Sequence, residues 1–112
     1  MRIGMMSTAI QSPSRGLDEV VAEAKKIESD GFDSLWAPNI MGLDAMTALA
    51  VAGMETSRIE LGTAVVPTYP RHPHAMAQQA LTTAVAANGR FALGIGLSHK
   101  IVIEDMMGMS YE

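Results

Sequence analysis

Apolar residues along this chain keep two rhythms. Four short runs are almost continuously apolar, at residues 2–7, 34–37, 59–66 and 91–97. Their starts lie roughly 30 residues apart, the size of one strand-plus-helix unit. Between them the apolar positions fall at helical spacing. Leu17, Val20, Val21, Ala24 and Ile27 form one stripe, which predicts a first helix. Asp18, Glu19 and Glu23 sit early in it and Lys25 and Lys26 late, as the helix dipole prefers, and Gly31 ends it. A second helix is expected to follow Asp44 as its N-cap and run through Leu49, Ala50 and Gly53 to Met54. A third opens near Pro73, passes Met76, Ala80, Leu81 and Ala84, and stops at Asn88-Gly89.

Strands apolar at every position, rather than at alternate ones, belong to a parallel sheet covered by helices. A doubly wound sheet of the dinucleotide-binding type carries G-x-G-x-x-G after its first strand. Here Ser7-Thr8-Ala9-Ile10 follows the first run, and Gly94-x-Gly96 has His99 where the third glycine belongs. The pattern therefore points to parallel (β/α) units of a barrel. A closed barrel needs eight strands and about 250 residues, so residues 1–112 are expected to form a single partial domain, the N-terminal half (strands 1–4) of a TIM (β/α)8 barrel. The four runs should be adjacent parallel strands in the order 1-2-3-4, with all three helices on one face. The final stretch HKIVIEDMMGMSYE opens a new segment without a cap or turn signal. The expectation is of a chain that is cut or pairs with a second copy. Ile3, Met5, Leu61, Leu93 and Ile95 are expected to face the barrel interior and, lacking an opposite half, to drive self-association.

Composition narrows the function classes. The chain is 48% hydrophobic and 18% charged, with a net charge of −4, which gives no reason to expect nucleic acid or an anionic membrane as partner. There are no cysteines, so disulfides and thiolate metal sites are excluded, and a cytoplasmic location fits. The first fourteen residues have one basic residue and an apolar stretch interrupted by Gly4, Ser7 and Thr8, unlike a secretory signal. No stretch approaches the roughly 20 apolar residues of a membrane span. The ten methionines read as core filler.

In a parallel barrel the chemistry sits in the loops that follow the strands. Those loops are 7–11, 37–42, 64–74 and 98–100. No catalytic-triad spacing, Walker loop or H-E-x-x-H is present. His72 and His74 flank Pro73 as loop histidines at a helix start, and no metal site is assigned. His99 follows the fourth run directly and is either a catalytic group at the barrel mouth or a solvated histidine. Asn39, after the second run, either holds a ligand or satisfies its own turn.

Three pieces carry a family resemblance: Arg58-Ile59-Glu60-Leu61-Gly62-Thr63, Arg71-His72-Pro73, and Gly94-Ile95-Gly96-Leu97-Ser98-His99-Lys100. With them the whole chain resembles the N-terminal half of luciferase-like monooxygenase superfamily proteins, and within these the branch that uses the deazaflavin coenzyme F420. The resemblance implies a (β/α)8 barrel of roughly three hundred residues, usually dimeric, with the second half supplied outside these residues. It implies an oxidoreductase that moves a hydride between the deazaflavin and a small organic substrate, or alternatively an FMN-dependent monooxygenase. It also implies a non-prolyl cis peptide at Ala64-Val65, backing the central ring of the cofactor, with Thr63 beside it. Pro67, Pro70 and Pro73 would stiffen that loop, and Tyr69 and His72 would crowd the pocket. Asn39 would meet the ring edge and His99 would donate a proton or touch substrate. Two departures stand out. Where many members have an acidic residue and a histidine after strand two, this chain has Asn39-Ile40, and where some deazaflavin dehydrogenases have a glutamate after strand four it has His99. A non-catalytic half-barrel that self-associates is the reading from another class, since open sheet edges invite pairing.

Overall fold

The computed structural model describes residues 1–14 and 16–112. In chain order the elements are β1 (Gly4–Met6), α1 (Leu17–Ser29), β2 (Ser34–Ala37), α2 (Ala45–Met54), β3 (Glu60–Thr63), β4 (Val66–Pro67), α3 (Pro73–Ala86), β5 (Phe91–Ala92) and β6 (Ile95–Gly96). A 3-10 turn at Ala9–Gln11 follows β1, and a π-helical turn at Val102–Met106 follows β6. The local signals work as read. Asp44 caps α2 by accepting from the Thr47 amide at 2.9 Å. Pro73 sits in the first turn of α3. Gly31 and Gly89 adopt φ of 92° and 83° after their helices, which only glycine does freely.

All pairings are parallel, and β1-β2-β3-β5 form one sheet in that order, so the four apolar runs are adjacent as expected. The third and fourth runs are each broken in two. Their second pieces, β4 and β6, form a separate parallel pair beyond the break. Leu35, Leu61 and Phe91 stand side by side by register. Leu35 and Leu61 pack with Val20, Ala24 and Ile27 of α1 and with Ala48, Leu49 and Ala52 of α2, and Phe91 lies against that cluster. Met76 of α3 joins Met46 and Val66 in a second cluster that also touches Phe91. One face of the sheet therefore carries all three helices. Each fully buried leucine or isoleucine there contributes about 1.5–3 kcal/mol by burial.

That register corrects one expectation. Leu61 does not face a barrel interior; it is fully buried against the helices. Met5 pairs with Leu35 and so shares its face, and Ile95 pairs with Val66, a residue of the helix-side core. The opposite face carries Gly4, Met6, Ser34, Trp36, Gly62 and Ala92. There the Trp36 indole lies over Gly62, where a Cβ would collide with the ring, and its Nε1 donates to Ser34 Oγ at 2.9 Å. A run apolar at every position does not disclose which parity faces the helices, because a one-residue slip exchanges the two faces.

Polar ties close the other end of the sheet. The Glu28 carboxylate accepts from the amides of Ser57, Arg58 and Ile59. The Arg90 guanidinium donates to the carbonyls of Ile59, Gly53 and Thr56 at 2.7, 2.8 and 2.9 Å, and of these the Gly53 carbonyl is one left free at the end of α2.

Candidate functional site

The break between β3 and β4 sets the site. The Ala64–Val65 peptide is cis, at the bond the resemblance implied. Just before it, the Thr63 hydroxyl donates to the Gly94 carbonyl and accepts from the Gly94 amide, both at 2.8 Å. A side chain thus replaces a rung of the backbone ladder between the third and fourth runs. Gly94 is required there, because a Cβ would run into the Thr63 carbonyl.

Beyond this break the strand ends open into a cavity of about 280 Å³. One wall is the segment after β2, with Pro38, Asn39, Ile40 and Met41. The next is Ala64, Val65 and Pro67, and the third is Ser98, His99, Val102, Met106 and Met107. The lining is apolar except for Asn39, Ser98 and His99.

Four of the five residues singled out from the sequence meet at this cavity. Ala64 and Val65 form the wall, Val65 with 41% of its surface exposed. Asn39 lines it while its Oδ1 accepts from the Ala45 amide at 2.8 Å, and its side-chain amide nitrogen has no partner among the described residues. His99 lines the mouth, exposed, and its imidazole makes no hydrogen bond among the described residues. Thr63 is the exception. It is 1% exposed, lies behind the wall and spends its hydroxyl on Gly94.

Other expected contributors lie elsewhere. Tyr69 stacks on Tyr111 with ring centroids 4.9 Å apart and donates to the Glu112 carbonyl at 2.6 Å, away from the cavity wall. His72 caps α3, its Nδ1 accepting from the His74 amide at 3.1 Å. The loop after β1 contributes nothing to the lining; Glu23 of α1 fastens it through Ser7 Oγ and the amides of Thr8 and Ala9. Sequence reasoning missed Val102, Met106 and Met107, since nothing in 99–112 marks a helical turn.

A polar ring outside the lining joins Arg71, Asp44 and Gln79. Arg71 Nη2 donates to Asp44 Oδ1, Arg71 Nη1 donates to Gln79 Oε1 at 2.9 Å, and Gln79 Nε2 returns to Asp44 Oδ2 at 2.9 Å. Burial pushes the Asp44 carboxyl up, but hydrogen bonds from the Thr47 hydroxyl and amide and from Arg71 outweigh it and hold the group below its ordinary value. Among the described residues no group of three or more histidine and carboxylate side chains is placed to hold a metal ion, and no helix is long and apolar enough to cross a membrane.

Comparison with known proteins follows the same outline. A family model described as luciferase-like monooxygenase matches residues 1–112. A Mycobacterium tuberculosis protein that carries the name of a coenzyme F420-dependent oxidoreductase is 38% identical over 99 residues, covering 88% of this chain and 28% of its own length. The coenzyme F420 dependent tetrahydromethanopterin reductase from Methanopyrus kandleri superposes with a TM-score of 0.78 at 27% identity, over 98% of this chain and 30% of that one. The oxygenating constituent of 3,6-diketocamphane monooxygenase from Pseudomonas putida, solved with FMN, superposes with a TM-score of 0.81 at 20% identity, over 96% of this chain and 32% of that one, a likeness of fold alone. The chain spans 28 to 31% of the length of the first curated relatives it matches.

Proposed function

This chain belongs to the luciferase-like monooxygenase family, and we propose that it supplies the N-terminal part of a coenzyme F420-dependent oxidoreductase whose cofactor ring lies in the cavity at the strand ends. The observation that carries the reading is the convergence of Ala64, Val65, Asn39 and His99 on one apolar cavity. Its size stands at the lower edge of the roughly 300–1,000 Å³ of ligand pockets. That suits a flat ring system and not a whole cofactor with its tail. The wall chemistry fits as well: small apolar groups admit close approach, and few polar groups compete for solvent.

When bound, the deazaflavin supplies hydride chemistry at its C5. The chain's own residues do the rest. Ala64 and Val65 back the ring, and the Asn39 side-chain amide donates to its edge. Ile40, Met41, Met106 and Met107 cover the mouth and exclude water, which strengthens each polar contact inside. His99, free of other partners among the described residues, hands a proton to or from a small organic substrate at an imidazole nitrogen. A cytoplasmic homodimer is part of the same proposal.

Titration of the protein with coenzyme F420 and with FMN, followed by fluorescence, separates this reading from its rivals. Saturable binding of the deazaflavin in preference to FMN supports it. Preference for FMN moves the protein to the monooxygenases, and binding of neither leaves a non-catalytic, self-associating module.

A further inference from the structure

Both rims of the cavity are fastened at one place, the N-terminus of α2. The rim after β2 is held by Asn39, whose Oδ1 takes the Ala45 amide at 2.8 Å. The rim after β4 is held by Arg71, whose guanidinium reaches Asp44, the cap residue one position before Ala45. Gln79 of α3 closes the ring by bonding Arg71 and Asp44 together. The Arg71 side chain is 18% exposed and that of Asp44 34%, so the pair is largely shielded from water and salt. Arg71 also belongs to the loop by its backbone, its amide donating to the Thr68 carbonyl at 3.2 Å.

We propose that Arg71 is a positioning residue for the cavity: through Asp44 and Gln79 it fixes the Val65–Pro67 wall relative to the Asn39 wall. Arg71 itself does not line the cavity. Its planar fork spans two acceptors on two helices, which sets distance and angle in a way a point charge does not. Releasing it leaves each wall attached to its own strand but frees their separation, and a flat ring between two walls is sensitive to that separation. This inference rests on the reading of the cavity as a cofactor site.

The experiment compares wild type, Asp44→Asn, Arg71→Met and Arg71→Lys in the protein at its native length, first without cofactor and then with coenzyme F420 as titrant. Asparagine caps a helix about as well as aspartate, so Asp44→Asn keeps the first turn of α2 while removing the anion that faces Arg71. Amide hydrogen exchange of the unliganded protein should speed by about tenfold at Leu43 and Ala45 on one rim and at Thr68 and Arg71 on the other, with α1 unchanged. The Kd for the deazaflavin should rise about tenfold in Asp44→Asn and Arg71→Met, the size of one lost charge-assisted bond. Arg71→Lys should recover part of both effects. Exchange that stays slow on both rims, or speeds on one rim alone, overturns the inference. So does unchanged Kd beside accelerated exchange. Should Asp44→Asn fail to fold, the contrast between Arg71→Lys and Arg71→Met decides by the same criteria. Should wild type bind no deazaflavin, the cofactor reading falls, and the exchange data alone decide the tie.

Discussion

Thr63 offers a sharp test of how the cavity wall is built. Its hydroxyl links the third and fourth runs across the break, bonded to both the amide and the carbonyl of Gly94 at 2.8 Å. Thr63→Val keeps the shape and removes the oxygen. The Gly94 carbonyl still accepts from the Val66 amide at 2.9 Å, so only the Gly94 amide loses its partner. An orphaned, shielded donor costs about 1–3 kcal/mol. With an m-value of about 1–2 kcal/mol/M, a loss near 2 kcal/mol lowers the urea midpoint by about 1–2 M. Thr63→Ser keeps the oxygen and loses one buried methyl, at about 1 kcal/mol. The local signature separates the two better than the midpoint does. Amide exchange at Gly94 should rise sharply in the valine variant and stay slow in the serine variant. Because Thr63 lies behind the wall, deazaflavin affinity in Thr63→Ser should match wild type. A valine variant as stable as wild type, or one with a protected Gly94 amide, refutes the hydrogen-bond argument.

Three further outcomes are expected. Val65→Lys places a charge on an exposed wall residue, so cofactor titration should show affinity falling by at least about a hundredfold while the unfolding midpoint moves little. Leu61→Ala removes a fully buried side chain from the helix-side core and should cost about 2–5 kcal/mol in urea unfolding, an effect that a residue facing an open interior would not show. Asp44 and Glu28 both titrate below their ordinary values because hydrogen bonds outweigh the upward push of burial. Their stabilising contribution is therefore complete above about pH 5 and is lost as pH falls through the folded values, so unfolding midpoints should drop between about pH 5 and 3, and less so in Asp44→Asn.

Much of this fold is written in the local signals. The stripe through Val20, Ala24 and Ile27, the Asp44 cap, Pro73 in a first turn and the glycines after two helices each act over a few residues. A sequence shows such interactions directly. What stays hidden depends on register and on long-range pairing. The helix-facing parity of Leu61 follows from its pairing with Leu35 and Phe91, which no alternation announces. The Thr63–Gly94 bond spans 31 residues and the Tyr69–Glu112 bond spans 43, so neither leaves a local trace. For the same reason Thr63 and Tyr69 stand apart from the cavity lining that the resemblance suggested for them, whereas His72 stands apart because it caps α3 locally. Arg71 was visible as part of a distinctive step, but its work became visible only once α2 and α3 were placed beside it.

The most direct test is a crystal structure of the protein at its native length with coenzyme F420 bound. The account predicts the deazaflavin ring in contact, within about 4 Å, with Ala64 and Val65, its edge toward Asn39 and its open face toward His99. A ring seated away from the Ala64–Val65 wall, with these residues left to solvent, contradicts it.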